Sequence, residues 1–103
     1  MSFTQLYEQQ LAAQASYEHG GEYVSAMLLG LHEEAAELAR ACAPAWKSWK
    51  PESDGDVAGE IADVLIFVIN IAGAHGLAAS EVLHALREKI AYNAVRSDHQ
   101  RLR

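Results

Sequence analysis

Apolar residues recur at helical spacing along most of this chain, and strand-like alternation is nearly absent. Strong helix formers dominate outside one segment, which is bracketed by the two prolines, Pro44 and Pro51. The pattern predicts an all-α protein whose short connections favour a four-helix bundle. The expected helices run over about Phe3–Tyr17, Glu22–Ala43, Asp56–His75 and Ser80–Arg96.

Local signals mark where these helices start and stop. Ser2 or Thr4 is a candidate cap for the first helix, and Ser80 for the fourth. The pair Gly20–Gly21 is expected to end the first helix, and Gly76 the third, since glycine suits the left-handed terminating position. Residues 1–103 are expected to form one domain, with a loose polar tail at 97–103.

Five acidic residues interrupt the apolar helices in two clusters. Glu33, Glu34 and Glu37 form EExxE on the second helix, and Glu60 and Asp63 form ExxD on the third. Ionised acids are costly to bury without a compensating positive charge, and only one basic residue lies within a turn of them. A divalent metal would compensate them, and oxygen ligands suit magnesium or manganese better than zinc.

Helix geometry indicates which of these acidic side chains share a face of their helix. Glu34 falls on the apolar stripe of its helix with Glu37 one turn later, whereas Glu33 points about 100° away. Glu60 lies one turn before Asp63 on a helix that is apolar nearly all round. Two helices that each offer such a pair can surround a metal, as in other bundle cores. A solvated acidic face explains either cluster alone, but the pairing favours a metal site.

Length, composition and net charge limit the classes of partner that the protein is expected to bind. A chain of 103 residues buries only about 60 to 65% of its unfolded surface, so a hydrophobic fraction of 50% indicates that another subunit covers apolar surface. A net charge of −6 argues against a nucleic-acid polymer as partner. With Cys42 as the single cysteine and no signal pattern at the start, a cytoplasmic protein is expected. The apolar stretch Ile61–Ala74 is shorter than the ~20 residues of a membrane span, so no membrane partner is expected.

Three segments, in order, resemble the MazG-like all-α nucleoside triphosphate pyrophosphohydrolases. LHEEAAELA from Leu31 is similar to their first motif, and GEIADVLIFVINIA from Gly59 to their second. KIAYNAVR, from Lys89 to Arg96, resembles a K-x-x-x-N-x-x-R segment on their last helix. The resemblance covers roughly Glu22 to Arg96, and the ordered set is far more specific than EExxE alone.

The resemblance implies hydrolysis of a nucleoside triphosphate between its α and β phosphates, giving a monophosphate and pyrophosphate. It implies that Glu34, Glu37, Glu60 and Asp63 hold Mg²⁺, with Mn²⁺ as a possible substitute. A metal-bound water would be the nucleophile, with a carboxylate as base. Glu33 and Glu37 are the catalytic candidates, and spacing does not show which of them takes the proton. The resemblance leaves Glu33 three roles: support of a metal ligand, an extra ligand, or orientation of the water.

Polar side chains on the third and fourth helices are candidates for binding the substrate. Lys89, Asn93 and Arg96 form one stripe that would suit the β and γ phosphates, although cations also favour a helix C-terminus for its dipole alone. Asn70 faces the same way as Asp63, two turns on, and could bond the sugar or base, or satisfy a buried backbone group.

Both tryptophans lie in the loop PAWKSWKP. Its candidate contacts are Trp46 and Trp49, which could stack on a base, and Lys47 and Lys50, which could meet phosphates. The loop resembles a W-K-x-W-K segment of some dimeric dUTPase relatives. Closure of one end of the bundle by the two tryptophans is the alternative.

These features predict a magnesium-dependent pyrophosphohydrolase that assembles as a homodimer or homotetramer. Its expected role is to remove modified or surplus nucleotides from the nucleotide pool. A phosphoribosyl-ATP pyrophosphohydrolase is the rival enzyme. A non-catalytic helical module that binds metal and nucleotide is the rival of another class.

Overall fold

A computed structural model describes residues 1–14, 22–43 and 56–95. These residues form α1 (Phe3–Gln14), α2 (Tyr23–Cys42), α3 (Val57–Ala74) and α4 (Ala79–Val95), with no strand among them. The all-α prediction is confirmed, and the starts of the helices agree to within one residue. The expected end of the first helix, the loop Pro44–Gly55 and the tail from Arg96 lie outside the described residues.

Side-chain hydrogen bonds explain where α1 and α3 begin. Ser2 Oγ accepts from the Gln5 amide at 3.1 Å, while Gln5 Oε1 accepts from the Ser2 amide at 2.8 Å, a reciprocal cap. Asp56 Oδ1 accepts from the Gly59 amide at 3.1 Å at the start of α3. Gly76, with a φ of +74°, follows the end of α3, as predicted.

The prediction that Ser80 caps the fourth helix is wrong. The helix begins one residue earlier, at Ala79, so Ser80 lies within the first turn. Glu81 Oε1 accepts from the Ala78 amide at 2.7 Å, which satisfies the exposed backbone donor without a hydroxyl. A glutamate three residues into the helix thus replaces the serine as the local starting signal.

Helices α2 and α3 pack antiparallel along most of their length. Met27 meets Asn70 near one end, and Gly30 faces Phe67 one turn further along. A Cβ at position 30 would lie 2.3 Å from a ring carbon of Phe67, so the glycine lets the two helices approach closely. This register carries the EExxE segment of α2 to the first turns of α3.

Helix α1 lies across the other end of α3 and contacts α4. Tyr7, 1% exposed, packs with Ala72 and Ala79 in the small core of the described residues. The Tyr7 hydroxyl donates to the Leu77 carbonyl at 2.6 Å, which joins α1 to the turn between α3 and α4. Burial, with a smaller effect of the Glu81 charge, raises the pKa of the Tyr7 phenol above its usual 10.0.

Tyr7→Phe is expected to lower the free energy of unfolding at pH 7 by about 1–2 kcal/mol, because a partly buried hydrogen bond from the Tyr7 hydroxyl to the Leu77 carbonyl is lost. A raised phenol pKa gives stability that is complete below pH 10 and is lost as the pH rises through the folded value. The variant should therefore also lose less stability between pH 9 and 11, as measured by urea unfolding. Tyr92→Phe is the matched control, since it makes the same chemical change at a side chain that is 57% exposed and should alter stability less. An unchanged alkaline slope in Tyr7→Phe would contradict the assignment.

One helix among the described residues, Val57–Ala74, is long and apolar enough to cross a membrane by length and composition alone. The criterion is weak, because core helices of soluble proteins also meet it. Two acidic residues on this helix, Glu60 and Asp63, face α2. The expectation of a soluble protein stays a prediction.

Candidate metal centre

Three carboxylates from α2 and α3 meet where the two helices face each other. One oxygen each from Glu34, Glu60 and Asp63 lies within 4.8 Å of the other two. Glu34 and Glu60 are half-buried, Asp63 is exposed, and Glu60 Oε1 is withdrawn from solvent. Glu60 lies in the first turn of α3, where the positive end of the helix dipole favours a carboxylate.

Electrostatics make this arrangement unfavourable without a cation. Two unit charges at this separation repel by about 1 kcal/mol even in water, and by more near a protein surface. Oxygens that bind one Mg²⁺ at 2.0–2.1 Å lie at most about 4.2 Å apart, so small side-chain rotations would bring the three carboxylates to that spacing. A donor set of oxygens alone suits Mg²⁺ or Mn²⁺. The residues therefore fit a hard divalent cation.

The two other acids of the EExxE segment lie outside this group of three. Glu37 accepts a hydrogen bond from the Arg40 guanidinium, and both side chains are about half exposed. Glu33 is exposed. Arg40 is the nearest cation along α2, so it attracts the Glu37 carboxylate toward the surface. Glu37 as fourth ligand and Glu33 as a catalytic group both stay predictions.

Asn70 lies in the interior, with 4% of its surface exposed. Its Oδ1 accepts from Gln10 Nε2 at 3.0 Å, and its Nδ2 donates to Met27 Sδ at 3.6 Å. The amide thus joins α1, α3 and α2. These contacts favour a structural role for Asn70, and its contact with a sugar or base stays a prediction. Sequence reasoning missed Gln10 as the partner, although a glutamine on the apolar stripe of α1 was the available signal.

The predicted phosphate-binding residues that the structure describes, Lys89 and Asn93, lie on a different helix from the three clustered carboxylates. Lys89 is exposed and Asn93 half-buried on α4, which packs on α1 and has no comparable packing against α2. Arg96 and the four loop candidates, Trp46, Lys47, Trp49 and Lys50, lie outside the described residues.

Fold and site together define an all-α protein with an acidic, oxygen-donor centre between two antiparallel helices. Residues 23–94 match the family model of the MazG nucleotide pyrophosphohydrolase domain. Because this match covers well over half of the chain and includes all three clustered carboxylates, the chain belongs to the MazG nucleotide pyrophosphohydrolase family. No significant match is found among curated proteins or solved structures. The membership that the three motifs predicted is confirmed.

Proposed function

We propose that this chain is a magnesium-dependent nucleoside triphosphate pyrophosphohydrolase. It would convert a (deoxy)nucleoside triphosphate and water into a monophosphate and pyrophosphate. The observation that carries the proposal is the group of Glu34, Glu60 and Asp63, with carboxylate oxygens within 4.8 Å, in a family that acts on nucleotides. Manganese is the expected substitute for magnesium.

The chain's own residues would divide the work as follows. Glu34, Glu60 and Asp63 hold the cation, and Glu37 joins them once its carboxylate leaves Arg40. When bound, Mg²⁺ supplies charge neutralisation for the phosphates and lowers the pKa of water. The oxygen of water would then bond to the α-phosphorus while the bond between the α-phosphorus and the α–β bridging oxygen breaks, so that pyrophosphate leaves and the monophosphate remains. Glu33 or Glu37 takes the proton of the attacking water.

Residues outside the carboxylate group would hold the rest of the nucleotide. Lys89 and Asn93 suit the β and γ phosphates because an ammonium and an amide donate to anionic oxygens. Arg96 would extend this stripe. The loop candidates Trp46, Lys47, Trp49 and Lys50 would contact base and phosphates.

A screen of pyrophosphate release tests the function. Canonical and modified nucleoside triphosphates and phosphoribosyl-ATP are offered with Mg²⁺ and with Mn²⁺, and kcat/KM is compared across the panel. We expect release from at least one deoxynucleotide. Preference for phosphoribosyl-ATP over all of them favours the rival enzyme. Tight calorimetric binding without product identifies a binding module, and no release from any compound contradicts the proposal.

The remaining parts of the proposal concern context. Housekeeping of the nucleotide pool in the cytoplasm fits an acidic chain with one cysteine. Assembly as a homodimer or homotetramer fits the large apolar fraction, 50% of residues. Gel filtration with light scattering measures this assembly directly.

A further inference from the structure

Helices α2 and α3 meet in successive layers, each of which pairs one residue of α2 with one of α3. Three layers follow one another along the two helices: Met27 with Asn70, Gly30 with Phe67, and Glu34 with Asp63. Each step of three or four residues forward along α2 is matched by the same step back along α3, as antiparallel packing requires. The contact between Gly30 and Phe67 therefore lies one helical turn from two of the three clustered carboxylates.

In the middle layer, the bare backbone of Gly30 faces the edge of the Phe67 ring. A Cβ at position 30 would lie 2.3, 2.7 and 3.0 Å from three ring carbons, Cε1, Cζ and Cδ1. Carbon atoms in ordinary contact are about 3.5–4.0 Å apart, so any side chain at this position needs about 1 Å of extra space. Because the ring is rigid and the helix backbone is held by its hydrogen bonds, this contact sets how closely the two helices approach here.

The layers on both sides of the Phe67 ring restrict where it can move. On one side Asn70 is 4% exposed, contacts Met27 and accepts a hydrogen bond from Gln10, so that layer is fixed. On the other side lie the carboxylates. Turning the half-buried ring out to water would expose its apolar surface, which is unfavourable. A change in the middle layer is therefore transmitted to the carboxylates.

The separation of the two helices at this level affects the size of cation that the carboxylates can hold. One oxygen each from Glu34, Glu60 and Asp63 lies within 4.8 Å of the other two. Distances from oxygen to the ion are about 2.0–2.1 Å for Mg²⁺ and about 2.3–2.6 Å for Ca²⁺, so oxygens on one ion lie at most about 4.2 or about 5.2 Å apart. Small closures suit the site to Mg²⁺, whereas helices further apart by about 1 Å would favour the larger and geometrically more tolerant Ca²⁺.

We propose that Gly30 and Phe67 form a spacer that sets the distance between the carboxylates of α2 and α3, so that the centre favours a small divalent cation. Both are positioning residues, because neither has a polar side chain and they act on the ion through Glu34 and Asp63. That these carboxylates bind a cation rests on the proposed function. The selection by size needs no hydrolysis, so it is measured without a nucleotide.

Gly30→Ala tests the spacer through the choice of cation. Calorimetric titrations of the full chain with Mg²⁺ and with Ca²⁺ give two dissociation constants. Their ratio is the readout, because a general loss of structure would weaken the binding of both ions alike. We expect the affinity for Mg²⁺ to fall by about 10- to 100-fold, as for the loss of a supporting group at other metal sites, with a clearly smaller fall for Ca²⁺.

Two further variants show whether the contact itself is the cause. Phe67→Leu, added to Gly30→Ala, removes the ring that the new Cβ would meet, so it should restore most of the wild-type ratio. Gly73→Ala is the matched control, because a Cβ there would lie 2.4 Å from Leu11 Cδ2, where α3 packs on α1. Gly73 is about 15 Å from Asp63 along the axis of α3, so its substitution should leave the ratio unchanged, whatever it does to stability.

An unchanged ratio in Gly30→Ala, a ratio that Phe67→Leu does not restore, or an equal shift in Gly73→Ala overturns the proposal. If circular dichroism shows that Gly30→Ala does not fold, Phe67→Trp takes its place, since a larger ring presses on the same backbone, and an unchanged ratio there overturns the proposal as well. A wild-type protein that binds neither ion overturns the metal assignment and the spacer together. Selective Mg²⁺ binding, lost in Gly30→Ala, in a protein that releases no pyrophosphate supports the spacer and contradicts the proposed function alone.

Discussion

Glu60→Gln is expected to lower kcat/KM for pyrophosphate release by at least about 100-fold. Loss of a group that merely supports a metal ligand typically costs 10- to 100-fold, and Glu60 is placed to be a ligand itself. Glutamine keeps the shape of the side chain but removes the charge that holds Mg²⁺. The fall should appear in metal affinity as well as in turnover, so Mn²⁺ titration by calorimetry checks it alongside the kinetic assay.

The same substitution should stabilise the metal-free protein. It removes two like-charge contacts, with Glu34 and Asp63, each worth about 1 kcal/mol with full water screening. The favourable interaction of Glu60 with the start of α3 is worth only about 0.3–1 kcal/mol. The repulsion therefore outweighs the dipole term, and a net gain of about 1 kcal/mol raises Tm by about 4–8 °C.

Thermal unfolding with and without Mg²⁺ separates the two effects. Mg²⁺ should raise the Tm of the wild-type protein, because it binds only the folded state, and should leave Glu60→Gln nearly unchanged. Glu8→Gln on α1 makes the same chemical change at an exposed position outside the cluster and should alter neither property. A Glu60→Gln protein that is less stable without metal, or that keeps its Mg²⁺-dependent Tm shift, would refute the metal assignment.

The helices and the acidic trio were predictable because both depend on short-range patterns. Apolar periodicity marked each helix, and Gly76 marked the end of α3 by its freedom to adopt positive φ. Acids at i and i+3 share a helix face by geometry, so Glu60 and Asp63 had to point together. Helices α2 and α3 follow each other along the chain and pack antiparallel, which brings Glu34 to these two acids.

The sequence alone could not show which of two available side chains forms a given contact. Glu37 has the spacing of a ligand, but Arg40 lies three residues away and pairs with it. Ser80 has the chemistry of a cap, but Glu81 starts the helix one residue earlier. The direction of α4 depends on contacts of Tyr7 with Ala79, far apart in sequence, and no periodicity encodes that packing.

Asn70→Leu is expected to lower the free energy of unfolding by about 2–3 kcal/mol. Gln10 Nε2 loses its acceptor in a partly buried position, and an unsatisfied donor there costs about 1–3 kcal/mol. The weaker contact to Met27 Sδ is lost as well. For a domain of about 100 residues this corresponds to a fall in Tm of about 10 °C or more, measured by calorimetry or circular dichroism.

A second substitution tells whether the hydrogen bond causes the loss. Replacing both partners by apolar groups of similar shape leaves no orphaned donor, so Gln10→Leu added to Asn70→Leu should recover most of the stability. The coupling energy of this double-mutant cycle should fall within about 0.5–3 kcal/mol. Additive losses in the cycle would mean that the two amides do not act as a pair.

The double variant also decides between the two interpretations of Asn70. If the amide joins three helices and touches no nucleotide, the refolded interior of Gln10→Leu with Asn70→Leu should bind substrate with an unchanged KM. If Asn70 bonds a sugar or base, KM should rise even though stability has returned, because the lost contact lies in the complex. In that case Asn70 would contact the nucleotide as well as stabilise the fold. Measurements of stability alone would not separate these two roles, so KM must be measured too.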